Sequence, residues 1–207
     1  MVLVSHKYKF IYIKNVKVAS SSVESFFGSF CQNPEKIYNY DDEIMQSIDD
    51  YGIIGSRVEG VQQKDIWKNH INATEIKTRL GNDLFSEYFK FAVIRNPYDT
   101  IVSYYYWEKS TLPFKEYAKN KIIDNLNRCS IDGESVCDYY IRYENLLEDI
   151  VNVCKLLKID NYDINNLPKH KTNIRPKDNY KDYYDEETRI KVYNNNKKVF
   201  EKFGYDF

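Results

Sequence analysis

The sequence predicts an α/β protein with a central, mainly parallel sheet flanked by helices on both faces. Three observations lead there. Short apolar, β-rich runs alternate with segments of helical period. Two of those runs, 8–14 and 88–94, pass through short polar stretches directly into helix starts. No repeat or low-complexity linker divides the 207 residues, so a single domain spanning 1–207 with a proper core is expected.

The elements follow in order. Tyr8-Lys-Phe-Ile-Tyr-Ile-Lys14 is aromatic and β-branched with no Gly or Pro, which reads as a strand. Val23, Phe26, Phe27 and Phe30 fall at i, i+3, i+4 and i+7, one buried helix face. Residues 33–66 are polar, contain Gly52, Gly55 and Gly60, and are expected to form loops with short elements around a cleft. Asn72-Ala-Thr-Glu75 is a capping box; Ile76 and Leu80 supply an apolar stripe and Gly81 ends the helix. Tyr88 to Ile94 is the central strand. The next helix runs from Pro97 to Lys109, with Asn96 as N-cap and Asp99 returning a bond to the cap N–H. A further helix is expected near Phe114 to Leu126 and a strand over Val136 to Arg142. Leu146, Leu147, Ile150, Cys154 and Leu157 mark a strong helix. The last helix opens with Asp185, Glu186 and Glu187 and closes with Lys197, Lys198, Lys202 and Gly204, a charge order that complements its dipole.

Two loops carry chemistry. After the first strand comes Asn15-Val16-Lys17-Val18-Ala19-Ser20-Ser21-Ser22 and then a helix. A phosphate cradle needs free N–H groups at a helix N-terminus, a lysine for charge and small residues that let the backbone approach. The loop is not a Walker A sequence, since it holds no glycine; the plainer alternative is that the serines only cap the helix. In the second loop, Arg95 ends the central strand beside a helix N-terminus and Ser103 lies about two turns on, a second anion site. Both loops fall at strand C-terminal ends, where open α/β sheets hold ligands. Two such sites suggest a ligand with two separated phosphate-like groups.

Composition narrows the partners. Lys and Arg number 30 against 31 Asp and Glu, a net charge of −1, which gives no reason to expect bulk nucleic-acid affinity. The 20 tyrosines, together with many Lys, Asn, Ile and Asp, fit an AT-rich coding sequence. No run approaches the roughly 20 apolar residues of a membrane span, and the N-terminus does not read as a signal peptide, so a soluble, cytoplasmic protein is expected. The four cysteines form no C-x-x-C pair and there are three histidines, so no metal site is expected. Cys129 and Cys137 flank the turn Asp132-Gly133, where a hairpin could bring them together; free thiols are the default.

The segment from Lys17 to Ser22 resembles the 5′-phosphosulfate loop of sulfotransferases that use 3′-phosphoadenylyl sulfate (PAPS), and Arg95-Asn-Pro-Tyr-Asp-Thr-Ile-Val-Ser103 resembles their 3′-phosphate motif. Ile141-Arg-Tyr-Glu-Asn-Leu146, and the ending from Tyr183 through Thr188 to Phe203-Gly204-Tyr205, resemble the carbohydrate (Golgi-type, family 2-like) branch. Ser20 departs from the glycine of many relatives, and its β-carbon would crowd the phosphosulfate. Animal members are usually membrane-anchored in the Golgi, whereas this chain reads as a soluble microbial or viral version.

The resemblance implies a P-loop-like three-layer fold and transfer of a sulfuryl group from PAPS to a carbohydrate hydroxyl, leaving adenosine 3′,5′-bisphosphate. In it Lys17 stabilises the leaving phosphate, Val18, Ala19, Ser20, Ser21 and Ser22 line the 5′ phosphate, and Arg95 and Ser103 hold the 3′ phosphate. His70 is the expected base, with Glu24, Glu59 and Glu108 as weaker candidates. The basic segment around His170, with Arg175 and Lys177, resembles the loop that closes over the nucleotide. Lys64, Lys68, Trp67, Trp107 and the run Tyr104–Tyr106 are candidates for an acceptor cleft. Two other readings stand beside this one: a nucleotide-binding protein without catalysis, and an ATP-dependent P-loop kinase, for which no Walker lysine or magnesium ligands are visible.

Overall fold

The computed structural model describes residues 1–41, 45–58, 67–168, 170, 174–176 and 178–207. They fall into two compact units, Met1–Ile94 with Asn127–His170, and Arg95–Leu126 with Lys171–Phe207.

The first unit is an α/β layer structure as expected, but its sheet is mixed rather than mainly parallel. Its strands are β1 (Val2–Ser5), β2 (Phe10–Ile13), β3 (Ser47–Asp49), β4 (Gly52–Ile54), β5 (Phe89–Ile94), β6 (Ser130–Ile131), β7 (Glu134–Ser135) and β8 (Tyr139–Arg142). Six of them form one sheet in the order β3-β4-β1-β2-β5-β8. Its parallel part is β2-β5-β8, with Ile13 opposite Ala92 and Ile94 opposite Arg142. The sheet is mixed because the short strands β1, β4 and β3 continue from β2 in antiparallel pairs. The expected strand over Val136–Arg142 is shorter, because β6 and β7 form a separate hairpin around Asp132 and Gly133, both at positive φ.

Side chains alternate between the two faces of the sheet. On one face Leu3, Phe10, Tyr12, Phe91, Val93 and Ile141 share a core with Val23 and Phe27 of α1 (Ser20–Phe27), as the helical stripe predicts. On the other, Val2, Val4, Ile11, Ile13 and Ala92 meet Ile76 of α2 (Ala73–Leu80) and Phe85 of α3 (Asn82–Glu87). Half of the expected capping box of α2 forms: the Asn72 side chain accepts from Glu75 N–H at 2.9 Å, while the Glu75 carboxylate takes Arg79 Nη2 at 2.8 Å instead of the Asn72 N–H.

The second unit contains α4 (Pro97–Trp107), α5 (Phe114–Asn120) and, after α6 (Asn125–Arg128) and the α7 of the first unit (Leu146–Leu156), the pair α8 (Glu186–Asn195) and α9 (Lys197–Phe203). Tyr98, Ile101, Ala118, Ile123, Val192 and Phe200 form its core. The single last helix expected from sequence is two. Asn196 leaves helical geometry at φ −121°, its amide N–H donates to Val192 O, and its Oδ1 accepts from Ile123 N–H. The predicted ends hold: Asp185 caps α8 by accepting from Thr188 N–H, and Gly204 closes α9 in the left-handed conformation. Among the described residues, no helix is long and apolar enough to cross a membrane.

Candidate functional site

The first loop leaves the sheet at the C-terminal end of β2. Asn15 is fixed there: its amide donates to Val93 O on neighbouring β5 at 2.9 Å. Lys17 and Ala19 then take left-handed backbone, φ 62° and 59°, conformations that cost a residue with a β-carbon about 1–2 kcal/mol each. Left-handed steps of this kind turn successive N–H groups toward an anion. Ala19 is the N-cap of α1 and has no side chain with which to cap, so the three serines do not serve as N-cap. Ser20 and Ser22 are buried; Lys17, Ser21 and Ala19 are partly accessible and Val18 is core. Ser22 Oγ accepts from His170 N–H at 3.3 Å, which leaves the hydroxyl proton for another acceptor. Ser20 contributes its carbonyl to the Tyr12 hydroxyl at 3.1 Å.

A buried charge network backs this loop, and sequence reasoning missed it. Glu24, fully buried in α1, forms an ion pair with Lys14 Nζ at 2.6 Å through Oε2 and accepts from Arg57 Nε at 2.9 Å on Oε1. Arg57 also donates to the Tyr38 hydroxyl at 2.6 Å and to the Tyr40 carbonyl. Its guanidinium lies 4.4 Å from the Tyr40 ring centroid, and that ring stacks on His170 at 4.1 Å. Glu24 is thus committed to two cations, which removes it as a candidate base.

His70 belongs to the same unit. Its Nδ1 lies 3.2 Å from the Lys14 carbonyl, which can only accept, so the ring proton sits on Nδ1 and the lone pair on Nε2. Burial pushes the imidazole down to about 3, helped by the positive charges of the Met1 amino group, Lys14 and Arg128, with the Lys14 carbonyl acting against them. His70 is therefore neutral at physiological pH. Its carbonyl is held by Arg128 Nη1 at 2.6 Å and its own φ is 57°.

The second loop belongs to the other unit. Arg95, the residue after β5, is buried. Its Nε donates to Asp99 Oδ2 at 2.7 Å and its Nη2 reaches the same oxygen at 2.5 Å. Asp99 Oδ1 takes Arg175 Nη1 at 2.6 Å. Arg95 and Arg175 thus come together on one carboxylate. The capping role expected of Asp99 belongs to Asn96 alone, whose side chain accepts from Tyr98 N–H at 3.0 Å. Ser103, half-buried, lies one turn beyond Asp99 on the same face of α4.

Other candidates sort plainly. Trp67 is core at 6% exposure, not cleft lining; Lys68 and Trp107 are exposed. Tyr104 holds Lys121 over its ring, Tyr105 donates to Leu112 O, and Tyr106 bonds the Tyr183 hydroxyl. Glu108 is exposed and engaged by Lys121 and Tyr117. Lys177, Glu59 and Lys64 lie outside the described residues. Cys129 Sγ sits 3.6 Å from Asn15 Oδ1, and its thiol is pushed up by a hydrogen bond with Cys137 and by burial, so the hairpin does bring the two cysteines together. Among the described residues no group of three or more His, Cys, Asp or Glu could hold a metal ion.

The family model described as the sulfotransferase family matches residues 1–135. That span includes the Lys17–Ser22 loop, His70, Arg95 and Ser103, and it ends before Arg175. An uncharacterized protein of Archaeoglobus fulgidus is 36% identical over 91 residues, covering 39% of this chain and 76% of its own length. No solved structure matches the chain.

Proposed function

Because the chain belongs to the sulfotransferase family, we propose that it moves a sulfuryl group from PAPS to a hydroxyl of a carbohydrate acceptor. The observation that carries this reading is the loop between β2 and α1. Lys17 and Ala19 are held in left-handed backbone without a glycine, ahead of a helix whose N-cap has no capping side chain. Strain kept at such a place is characteristic of ligand clamps. A cation at Lys17 and the N–H groups that open α1 fit the 5′ end of the donor. Two arginines bridged by Asp99 fit the chemistry of its 3′ phosphate.

In this reading the donor supplies the sulfuryl group and a phosphate as leaving group. Lys17 neutralises the charge that develops on the bridging oxygen as the S–O bond to the leaving phosphate breaks. Ser20, Ser21, Ser22 and the backbone of Val18 and Ala19 hold the 5′ phosphate. Arg95 and Ser103 hold the 3′ phosphate, with Arg175 and Lys177 joining from the basic segment. His70 takes the acceptor's hydroxyl proton on Nε2 as the new S–O bond forms. Its neutral state supports that role, and the negative charge of a bound donor would raise its basicity toward what proton transfer needs.

The test is calorimetric titration of adenosine 3′,5′-bisphosphate into wild type and Arg95→Ala, with EDTA present. Micromolar binding to wild type that largely disappears in the variant is expected. Absence of binding to wild type overturns the donor assignment, and binding of ATP only with magnesium would point to a kinase. With the donor established, sulfation of an oligosaccharide panel tests the acceptor class.

A further inference from the structure

Asp99 does more than the sequence asks of it. Its helix is already capped by Asn96, and its two oxygens are divided between two arginines. Oδ2 takes the Nε and Nη2 of Arg95 at 2.7 and 2.5 Å, and Oδ1 takes Nη1 of Arg175 at 2.6 Å. Arg95 and Asp99 are buried, while the Arg175 side chain is 24% exposed and comes from a bend rather than a helix or strand. Two guanidiniums brought this close repel unless an anion lies between them. Asp99 is that anion, on the first turn of α4, where the helix dipole favours a carboxylate.

We propose that Asp99 is a positioning residue for the donor's 3′ phosphate: its carboxylate ties Arg175 to Arg95, so that two arginines are held ready for one anion. This rests on the reading of Arg95 as the holder of that phosphate. The carboxylate fixes the plane of the Arg95 guanidinium side-on. It also converts the long, otherwise mobile Arg175 side chain into a pre-set donor, so that less rotamer freedom is lost when the anion arrives. Ser103, one turn along the same helix face, completes a row of groups running from Arg95 through Asp99. An aspartate at this place therefore sets the preference for a nucleotide carrying a 3′ phosphate over one without it.

The test is titration of adenosine 3′,5′-bisphosphate and of adenosine 5′-phosphate into wild type, Asp99→Asn, Arg175→Ala and the double variant. Wild type is expected to prefer the bisphosphate. Asp99→Asn keeps the side chain's shape but should lose about tenfold of bisphosphate affinity while binding the monophosphate as before. Arg175→Ala should lose a similar factor, and the double variant no more than either single one, because both changes break the same device. Bisphosphate binding by Asp99→Asn as tight as wild type overturns the proposal, as do losses that multiply in the double variant. Equal weakening of both nucleotides in Asp99→Asn marks a merely structural role and also overturns it. Should Asp99→Asn not fold, Arg175→Ala alone decides, since an unchanged bisphosphate preference there refutes the tie. A wild type that binds neither nucleotide removes the donor reading itself.

Discussion

Replacing Glu24 by Gln keeps the side chain's shape and removes its charge. The carboxylate is fully buried between Lys14 Nζ at 2.6 Å and Arg57 Nε at 2.9 Å, and those two side chains are 7% and 12% exposed. An amide can satisfy one donor but cannot balance two buried cations. Breaking a buried pair by removing one partner costs about 3–5 kcal/mol, because the other charge is stranded out of water. That is a large share of the roughly 5–15 kcal/mol that holds a typical domain together. For a chain of this size it corresponds to a fall in melting temperature of about 6–20 °C. Urea unfolding followed by circular dichroism, wild type against Glu24→Gln, measures the loss. Adding Lys14→Met to Glu24→Gln should recover part of it by removing one stranded cation, so the two changes are sub-additive. A Glu24→Gln protein within about 1 kcal/mol of wild type, or a double variant that loses the full sum, would refute the reasoning.

Three other perturbations are as direct. His70 has a folded pKa of about 3, below its unfolded value of about 6.5. The unfolded chain therefore binds the extra proton between those values, and stability falls as pH drops through that window. Between pH 6.5 and 5 the loss should be about 1.6 kcal/mol and be absent from His70→Asn; equal pH slopes in the two proteins would count against it. Burial raises the thiols of Cys31 and Cys154, the latter to about 12, and Cys129 is raised by its bond with Cys137 and by burial. Iodoacetamide at pH 7.5 should therefore spare these three in the native protein and label them in urea, and mass spectrometry showing native labelling of Cys129 would contradict the packing. A β-carbon on Gly52 would meet Val4 O at 2.1 Å and Cys31 O at 2.8 Å, both backbone, so Gly52→Ala should destabilise by several times the roughly 1 kcal/mol of an ordinary substitution. A variant with wild-type urea midpoint would show that β4 does not sit against β1 as described.

Legibility in the sequence followed the range of the interaction. The stripe through Val23 and Phe27, the Asn72 cap, the acidic start at Asp185 and the Gly204 stop are legible, because each is decided within four or five residues. β1 has no counterpart in the sequence pattern, in which the first strand starts at Tyr8, because the turn at His6–Lys9 has none of the residues that announce one; Lys9 takes φ 51° instead of a glycine. β3 and β4 are three residues each and exist only through pairing with a neighbour. Trp67, a candidate for the acceptor cleft, is core, since nothing local distinguishes an aromatic that lines a cleft from one that joins the cluster of Ile71 and Ile76. The loop serines were legible as residue types, but the left-handed turns at Lys17 and Ala19 were not, because neither residue favours them.

The same limit explains why both charge clusters escaped notice, and it exposes a shared construction. Each has one cation at the end of a strand, Lys14 after β2 and Arg95 after β5, and one from far along the chain, Arg57 and Arg175. Each is joined by one buried carboxylate on the helix that follows the strand, Glu24 in α1 and Asp99 in α4. The bridging bonds span 33 and 76 residues, so the sequence offers no signal for Arg57, and marks Arg175 only as part of a basic segment, not as a partner of Asp99. Two cations on one carboxylate give each trio a formal charge of +1, fixed beside a helix N-terminus. A solvated lysine or arginine would deliver that charge with far less precision. In each trio the buried acid holds the two cations in place. In this chain the acid lies within the first two helical turns after the strand.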